Sequence, residues 1–129
     1  MGRRLILGTN VLIAYEREEI DRAALDDDEL AFAAVSVAEY RVGIELADTA
    51  ARAADRARAL AAITSVVDVL DYTESTAVQH ARLIAYVRQT GTPRGAHDLV
   101  IAAQTGRTIL SYDAKARFAD LPGVLAVEP

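Results

Sequence analysis

The strongest constraint on the fold is an alternation between short aliphatic runs and longer, alanine-rich segments. Runs of four or five aliphatic residues suit buried strands, whereas the longer segments have the length of helices. Strands that alternate with helices are typical of βαβ units, in which the strands are parallel. We therefore predict an α/β fold with a central parallel sheet of about five strands flanked by helices. The predicted strands are 4–7, 30–34, 67–70, 108–111 and 124–127.

The segments between these strands complete the predicted organisation. Helices are predicted at 9–17, 37–46, 50–62, 75–89, 97–105 and 114–119. Residues 89–95, QTGTPRG, contain two glycines and a proline, which predicts a loop between two helices. The chain has 129 residues and no internal repeat, so we predict a single domain over 1–129.

Composition restricts the chemistry that is open to the chain. It has no cysteine, which excludes disulfides, thiolate ligands and thiol nucleophiles, and leaves oxygen ligands and the imidazoles of His80 and His97. The formal net charge is −5, so binding of phosphates would need a metal ion or a local arginine cluster. No apolar run approaches the roughly 20 residues that span a bilayer, and no signal-peptide core is present. These features predict a cytoplasmic protein without membrane contact.

Three acidic residues occur where predicted strands and helices meet. Glu39 follows strand 30–34, Asp113 follows strand 108–111, and Asp98 opens the helix that leads into that strand. Ligands of open α/β sheets gather beyond the carboxyl ends of the strands, so acids at several such junctions can converge. Carboxylates suit hard cations such as Mg²⁺ and Mn²⁺. The joint placement therefore predicts a divalent-cation site.

Each of these residues also has an ordinary structural interpretation. Residues 36–39, SVAE, match a capping box in which Glu39 would bind a backbone amide. Asp98 and Asp113 suit helix N-caps or first-turn positions, where a carboxylate complements the helix dipole. His97 by itself is typical of a surface or packing residue. The acidic run 26–29 is typical of a solvated segment before a strand.

Four segments in order resemble the motifs of the PIN-domain family. They are LILGTNVLIA (5–14), VAEY (37–40), GAHDLVIAA (95–103) and ILSYD (109–113). The resemblance covers nearly the whole chain, and the length is close to that of the VapC-type toxins of bacterial toxin–antitoxin pairs. It implies a three-layer PIN-like fold and a metal-dependent endoribonuclease that cuts structured RNA and is held inactive by a cognate antitoxin.

The resemblance also implies roles for individual residues. Glu39, Asp98 and Asp113 match three of the four acids of the family and would be catalytic ligands of Mg²⁺ or Mn²⁺. Thr9 and Asn10 would orient a water or a phosphate oxygen beside the metal. Three arginines are candidate RNA contacts: Arg41, Arg94 and Arg117.

Partners follow from the same resemblance. It implies a homodimer bound to an antitoxin whose C-terminal segment covers the acidic pocket and offers an arginine to the carboxylates. The apolar segments 11–13 and 42–46 are candidate contact surfaces. Ordinary core packing is the favoured interpretation of both segments.

The chain departs from the family pattern at Gly8, which stands where the first motif carries an aspartate, a central metal ligand. The departure predicts weak metal binding and little or no ribonuclease activity. One explanation is that glycine relieves crowding at the strand-to-helix turn. A second is natural decay of an enzyme. A third, which we favour, is an inactivating change, selected by toxicity or deliberate, and the sequence does not separate the last two.

Two other classes of function compete with the nuclease. One is a non-catalytic PIN-like binding module that dimerises and binds an antitoxin or RNA, and Gly8 is its best support. The other is a response-regulator-like switch, which also gathers acids beside a parallel sheet. That class expects paired acids after the first strand and a phosphoacceptor after the third, where Asp71 is the sole candidate, and fold-level analogy carries little weight.

Overall fold

The computed structural model describes residues 2–91, 94–104, 106–112 and 117–129. They contain five strands and five helices, and short 3₁₀ turns occur at Arg22–Leu25 and Phe118–Asp120. The strands are β1 (Arg4–Leu7), β2 (Glu29–Ala33), β3 (Asp68–Leu70), β4 (Thr108–Leu110) and β5 (Ala126–Val127). The helices are α1 (Thr9–Glu16), α2 (Ala34–Glu45), α3 (Ala50–Thr64), α4 (Glu74–Thr90) and α5 (Ala96–Ala102). Their order along the chain is β1-α1-β2-α2-α3-β3-α4-α5-β4-β5.

The predicted elements are largely confirmed. All five strands and the first five helices are present, with ends shifted by a few residues. The predicted helix 114–119 begins outside the described residues, and its end belongs to the 3₁₀ turn Phe118–Asp120. Within the described part of the chain, no helix combines the length and the apolar character needed to cross a membrane.

The five strands form one parallel sheet in the order β3-β2-β1-β4-β5. Successive side chains of a strand point to opposite faces, and β1 shows this directly. Leu5 and Leu7 belong to the core on one face, with Ile63 of α3. Ile6 belongs to the core on the other face, with Leu83 of α4 and Leu99 of α5. Helices therefore cover both faces, and the predicted three-layer α/β fold is confirmed.

The start of α2 differs from the prediction. The helix begins at Ala34, directly after β2, and its N-cap residue Ala33 makes no side-chain capping bond. Ser36 therefore lies inside the first turn and is fully buried. The capping-box interpretation of 36–39 is wrong, because a capping box requires Ser36 to be the N-cap residue.

The interpretation of the acidic run 26–29 is wrong for Asp28. Asp26, Asp27 and Glu29 are exposed, as predicted. The carboxylate of Asp28 is only 8% exposed, and it accepts hydrogen bonds from the backbone nitrogen of Arg3 at 2.8 Å and from Nη2 of Arg3 at 2.9 Å. These bonds lower the pKa of Asp28. Glu29 also pairs with arginines at the amino end of the sheet, although its side chain stays exposed.

The apolar segments proposed as contact surfaces divide into two cases. Val11 and Leu12 are fully buried, which confirms core packing. Val42 and Leu46 on the last turn of α2 are 54% and 78% exposed, so core packing is wrong for them. These two side chains remain candidates for a contact surface.

Arg107 is expected to stabilise the fold measurably. Its side chain is 6% exposed, and it donates to the backbone oxygen of Leu5 at 3.3 Å and to Glu29 at 3.1 Å. Arg107→Met removes both bonds and leaves a buried carbonyl without this donor, so we expect the free energy of unfolding to fall by about 1–3 kcal/mol. Urea denaturation measures the change.

The matched control is Arg58→Met, because Arg58 pairs with Asp55 on an exposed part of α3. An exposed ion pair contributes only about 0–1 kcal/mol. Equal losses in the two variants would contradict the structural role of Arg107.

Candidate functional site

The strand order creates a switch point between β1 and β4. From β1 the chain crosses to β2 and β3 on one side, and it then returns to β4 on the other side. Ligands of open α/β sheets bind at such points, beyond the carboxyl ends of the strands. A cleft of about 260 Å³ lies at this position. Its lining residues are Gly8, Thr9, Asn10, Ile13, Glu39, Asp98, Ile101, Ser111 and Phe118.

Four different parts of the chain deliver the polar residues of the cleft. Gly8 joins β1 to α1, and its nitrogen donates to the oxygen of Leu110 at 2.9 Å, which holds the two central strands together at the edge. Ser111 follows β4 directly. Glu39 comes from α2 and Asp98 from the first turn of α5. The fold thus brings together two acids that are far apart in sequence.

Glu39 is held in place by neighbouring side chains. The Thr9 hydroxyl lies 3.1 Å from the Glu39 carboxylate, to which it can donate, and 3.1 Å from the Ser36 hydroxyl. Nδ1 of His97 lies 3.5 Å from the same carboxylate oxygen. His97 is 57% exposed, which confirms a surface position, although this surface borders the cleft. Thr9 therefore limits the rotation of Glu39, whereas its predicted role of orienting a water or a phosphate oxygen stays a prediction.

Asp98 lies in the first turn of α5, one of the two positions that its ordinary interpretation allowed. The N-cap position is taken by Gly95, so Asp98 is not an N-cap. A carboxylate in the first turn is favoured by the helix dipole. Asp98 therefore occupies a favourable position in its helix and also lines the cleft.

Gly8 does not need the conformational freedom of glycine. Its φ of −63° and ψ of 159° are extended values that any residue adopts. A Cβ atom at this position would lie 3.3 Å from Cβ and Oγ of Ser111 and 3.4 Å from the oxygen of Leu110. The space is tight but not closed, so the backbone provides no reason for glycine here.

The remaining predicted site residues divide into three groups. Asn10 lines the cleft, whereas Asp113 lies outside the described residues. Arg94 and Arg117 are tied to each other and to a neighbour: Arg94 donates to the backbone oxygen of Arg117 at 2.7 Å, and Arg117 pairs with Asp120 at 2.8 Å. Arg41 is exposed on α2, and none of these three arginines lines the cleft. Their contact with RNA stays a prediction.

Several lining residues were absent from the sequence prediction. Ser111 follows β4 directly, so the rule that selected Asp113 could also have selected it. The apolar part of the lining consists of Ile13, Ile101 and Phe118. In the sequence these residues stand beside other apolar residues, so nothing distinguishes a cleft-lining residue from a core residue.

The donor set of the cleft suits a hard cation more than a soft one. Glu39 and Asp98 supply carboxylates, and Thr9 and Ser111 supply hydroxyls. Oxygen donors of this kind fit Mg²⁺ or Mn²⁺. Among the residues that the structure describes, no group of three or more acidic or histidine side chains is placed to hold a metal ion. The described residues therefore fit a divalent cation, with a smaller number of carboxylates than the predicted four-acid site.

The fold matches chains from several bacterial toxin–antitoxin complexes, whereas no protein-family model and no curated protein matches the sequence. VapBC2 from Rickettsia felis, bound to promoter DNA, has a TM-score of 0.85 and 18% identity over 98% of each chain. DNA-bound VapBC from Salmonella typhimurium has a TM-score of 0.85 and 21% identity, over 99% of this chain and 98% of the other. VapBC-5 from Mycobacterium tuberculosis has a TM-score of 0.76 and 26% identity, over 97% and 96%.

A parallel sheet covered by helices on both faces, with an acid-lined cleft at its switch point, defines a PIN-like α/β domain. The resemblance to VapC-type toxins that the four motifs carry is confirmed by the likeness of the fold to chains of VapBC complexes.

Proposed function

We propose that this chain is the toxin subunit of a toxin–antitoxin pair, built on the scaffold of a metal-dependent endoribonuclease and impaired by Gly8. One observation carries the proposal: Glu39, Asp98 and Gly8 line a single cleft at the switch point of a fold that toxin–antitoxin complexes share. The two carboxylates and the glycine border the same cleft, which supports a cation site with one ligand missing. An aspartate at position 8 would complete the acidic lining.

The chain's own residues would position the RNA and the cation. Glu39 and Asp98, with Asp113 as the third acid, would hold Mg²⁺ or Mn²⁺, and Thr9 would keep the Glu39 carboxylate oriented. Such an ion supplies a water of lowered pKa and neutralises charge on the scissile phosphate. Ile101 and Phe118 contribute the apolar part of the lining.

Gly8 removes a carboxylate from this arrangement. The remaining acids bind a cation more weakly, because each missing carboxylate removes both a ligand and a negative charge. The test is Mg²⁺- and Mn²⁺-dependent cleavage of a total small-RNA pool by this chain and by its Gly8→Asp variant, with chelator controls. Cleavage by the variant alone supports a nuclease scaffold that is disabled at one ligand.

The proposed partners are a cognate antitoxin and a second copy of the chain. The solved structures that share the fold are toxin–antitoxin complexes, which supports an antitoxin. Val42 and Leu46 are large apolar side chains exposed at the end of α2, and they support a contact surface. We expect a dimer in the cytoplasm, with twice the chain mass of 13.9 kDa in analytical sedimentation. A mass near that of one chain at working concentration would contradict the dimer.

The second candidate function is a non-catalytic binding module. It is favoured by Gly8 and by the small number of carboxylates among the described lining residues, namely two. This module predicts that neither the chain nor Gly8→Asp cleaves RNA, and that neither binds Mn²⁺. The nuclease scaffold predicts that Gly8→Asp does both.

A further inference from the structure

A groove of about 450 Å³ adjoins the cleft and shares Ile13 and Glu39 with its lining. The other lining residues come from α1, α2 and α3, except Arg17, which follows α1 directly. They are Glu16, Arg17, Tyr40, Gly43 and Arg56. The groove and the cleft are therefore direct neighbours, separated by no more than the side chains that line both.

Two arginines that line this groove, Arg17 and Arg56, have N–H groups that do not donate to residues the structure describes. Nη1 of Arg56 donates to the backbone oxygen of Gly43 at 2.5 Å, which fixes the guanidinium of α3 over α2. Arg17 is exposed, and its side chain makes no hydrogen bond or ion pair with any residue that the structure describes. A guanidinium has five N–H donors in a planar fork that matches phosphate, so one anchoring bond leaves Arg56 able to bind an anion.

Tyr40 belongs to the same groove lining as both arginines. Burial raises the pKa of Tyr40, and the charge of Glu16 raises it further, whereas Arg17 and Arg56 act in the opposite direction. Both cations therefore lie within electrostatic reach of the same phenol. The half-buried ring of Tyr40 also lines the groove and offers an aromatic surface for a base.

We propose that Arg17 and Arg56 form a subsite that binds the phosphate backbone of RNA next to the cleft. The proposal rests on the proposed function, since RNA is the substrate of that function. An acidic chain of net charge −5 needs local cations to hold a polyanion. Arg94 and Arg117 do not line this groove, whereas Arg17 and Arg56 line it together with Glu39 of the cleft.

We assign this groove to RNA, because a substrate whose scissile phosphate lay among the carboxylates of the cleft would extend into the adjoining lining. Arg17 and Arg56 are the cations of that lining, whereas Glu16 and Glu39 oppose a polyanion, so the two guanidinium groups must outweigh these carboxylates. A protein segment of mixed charge would tolerate both signs. A protein occupant is the competing outcome of the test.

The test measures binding without cleavage. A fluorescein-labelled RNA stem–loop is titrated with the chain in EDTA, and fluorescence anisotropy is followed between 25 and 200 mM KCl, roughly the range over which phosphate contacts weaken steeply. The variant is Arg17→Ala/Arg56→Ala. The control is Arg82→Ala/Arg88→Ala, which removes the same charge from exposed positions of α4 that line neither cavity.

The groove variant is expected to raise Kd about tenfold or more, and to lower the slope of log K against log salt by roughly 0.7–0.9 for each lost phosphate contact. The control is expected to change Kd less than threefold. Equal losses in the two double variants, unchanged binding by the groove variant, or no binding by the unchanged chain at 25 mM KCl would each overturn the proposal. Unchanged RNA binding would leave the groove to a protein partner.

The binding result is independent of catalysis. If Gly8→Asp fails to cleave RNA while the groove variant loses affinity, the nuclease proposal is wrong and the subsite stands. If Gly8→Asp cleaves RNA while the groove variant binds as the unchanged chain does, the subsite is wrong and the nuclease stands.

Discussion

Gly8→Asp is expected to turn a chain with little or no ribonuclease activity into one that cleaves RNA in Mg²⁺ or Mn²⁺. We expect the rate to rise roughly 100-fold or more, because removal of a single well-placed charged or polar group from a catalytic site costs about that much. Affinity for Mn²⁺ is expected to rise with the rate, by roughly 10- to 100-fold, on the scale of losses measured around metal sites. RNA cleavage with chelator controls and calorimetric titration with Mn²⁺ measure the two effects.

The backbone at position 8 accepts the new side chain. Its φ of −63° is ordinary for aspartate, and the tightest contact of the added Cβ, 3.3 Å to Ser111, needs a shift of a few tenths of an ångström. Thermal unfolding of the variant checks that this shift is tolerated. A folded Gly8→Asp that neither binds Mn²⁺ nor cleaves RNA would overturn the nuclease scaffold.

Gly8→Asn is the matched control for this change. It adds the same number of heavy atoms and a similar shape, but it lacks the negative charge that a carboxylate brings to a divalent cation. Restored cleavage in Gly8→Asp and none in Gly8→Asn would identify the carboxylate as the missing group. Equal rates in the two variants would instead point to a steric effect.

In the Gly8→Asp background, Glu39→Gln and Asp98→Asn are each expected to lower cleavage by roughly 100- to 1,000-fold. Each substitution is nearly isosteric and removes one negative charge from the cleft. The Glu39→Gln side chain retains an oxygen that can accept the Thr9 hydrogen bond, now 3.1 Å long, so its loss of activity would reflect charge more than orientation. RNA cleavage rates and Mn²⁺ titration measure both effects.

Glu74→Gln is the control for these two variants. Glu74 is exposed at the start of α4 and lines neither the cleft nor the groove, and the chemical change is the same as in Glu39→Gln. We expect its cleavage rate to stay within about threefold of the Gly8→Asp background, since an exposed charge outside both cavities acts weakly through screened solvent. Full activity in Asp98→Asn would show that Asp98 serves the helix dipole of α5 alone.

Local patterns predicted the elements more reliably than their ends. The strand 4–7 was predicted with its observed bounds, because three consecutive side chains there are fully buried and a continuous aliphatic run records that burial. The start of α2 was predicted three residues too late. Ser36 and Glu39 imitate a capping box, but the chain passes from β2 into the helix without any side-chain cap.

The pattern of charged residues predicted burial less well, because the exposure of a charged side chain depends on partners that are distant in sequence. Asp28 looked like part of a solvated run, yet Arg3 covers its carboxylate from the preceding strand region. Likewise, the sequence nominated three arginines for RNA by their nearness to motifs. The structure places Arg17, which follows α1, and Arg56 of α3 in the groove beside the cleft, outside the three later motifs.

The sequence by itself determined the α/β class, the order of the elements and the presence of acids at their junctions. These properties follow from burial and from hydrogen bonding between near neighbours, which produce a periodic pattern of apolar residues in the sequence. Only the tertiary structure decided that Gly8, Glu39 and Asp98 line one cleft. That convergence depends on β1 lying between β2 and β4, and strand order is set by packing between distant segments, which no local pattern encodes.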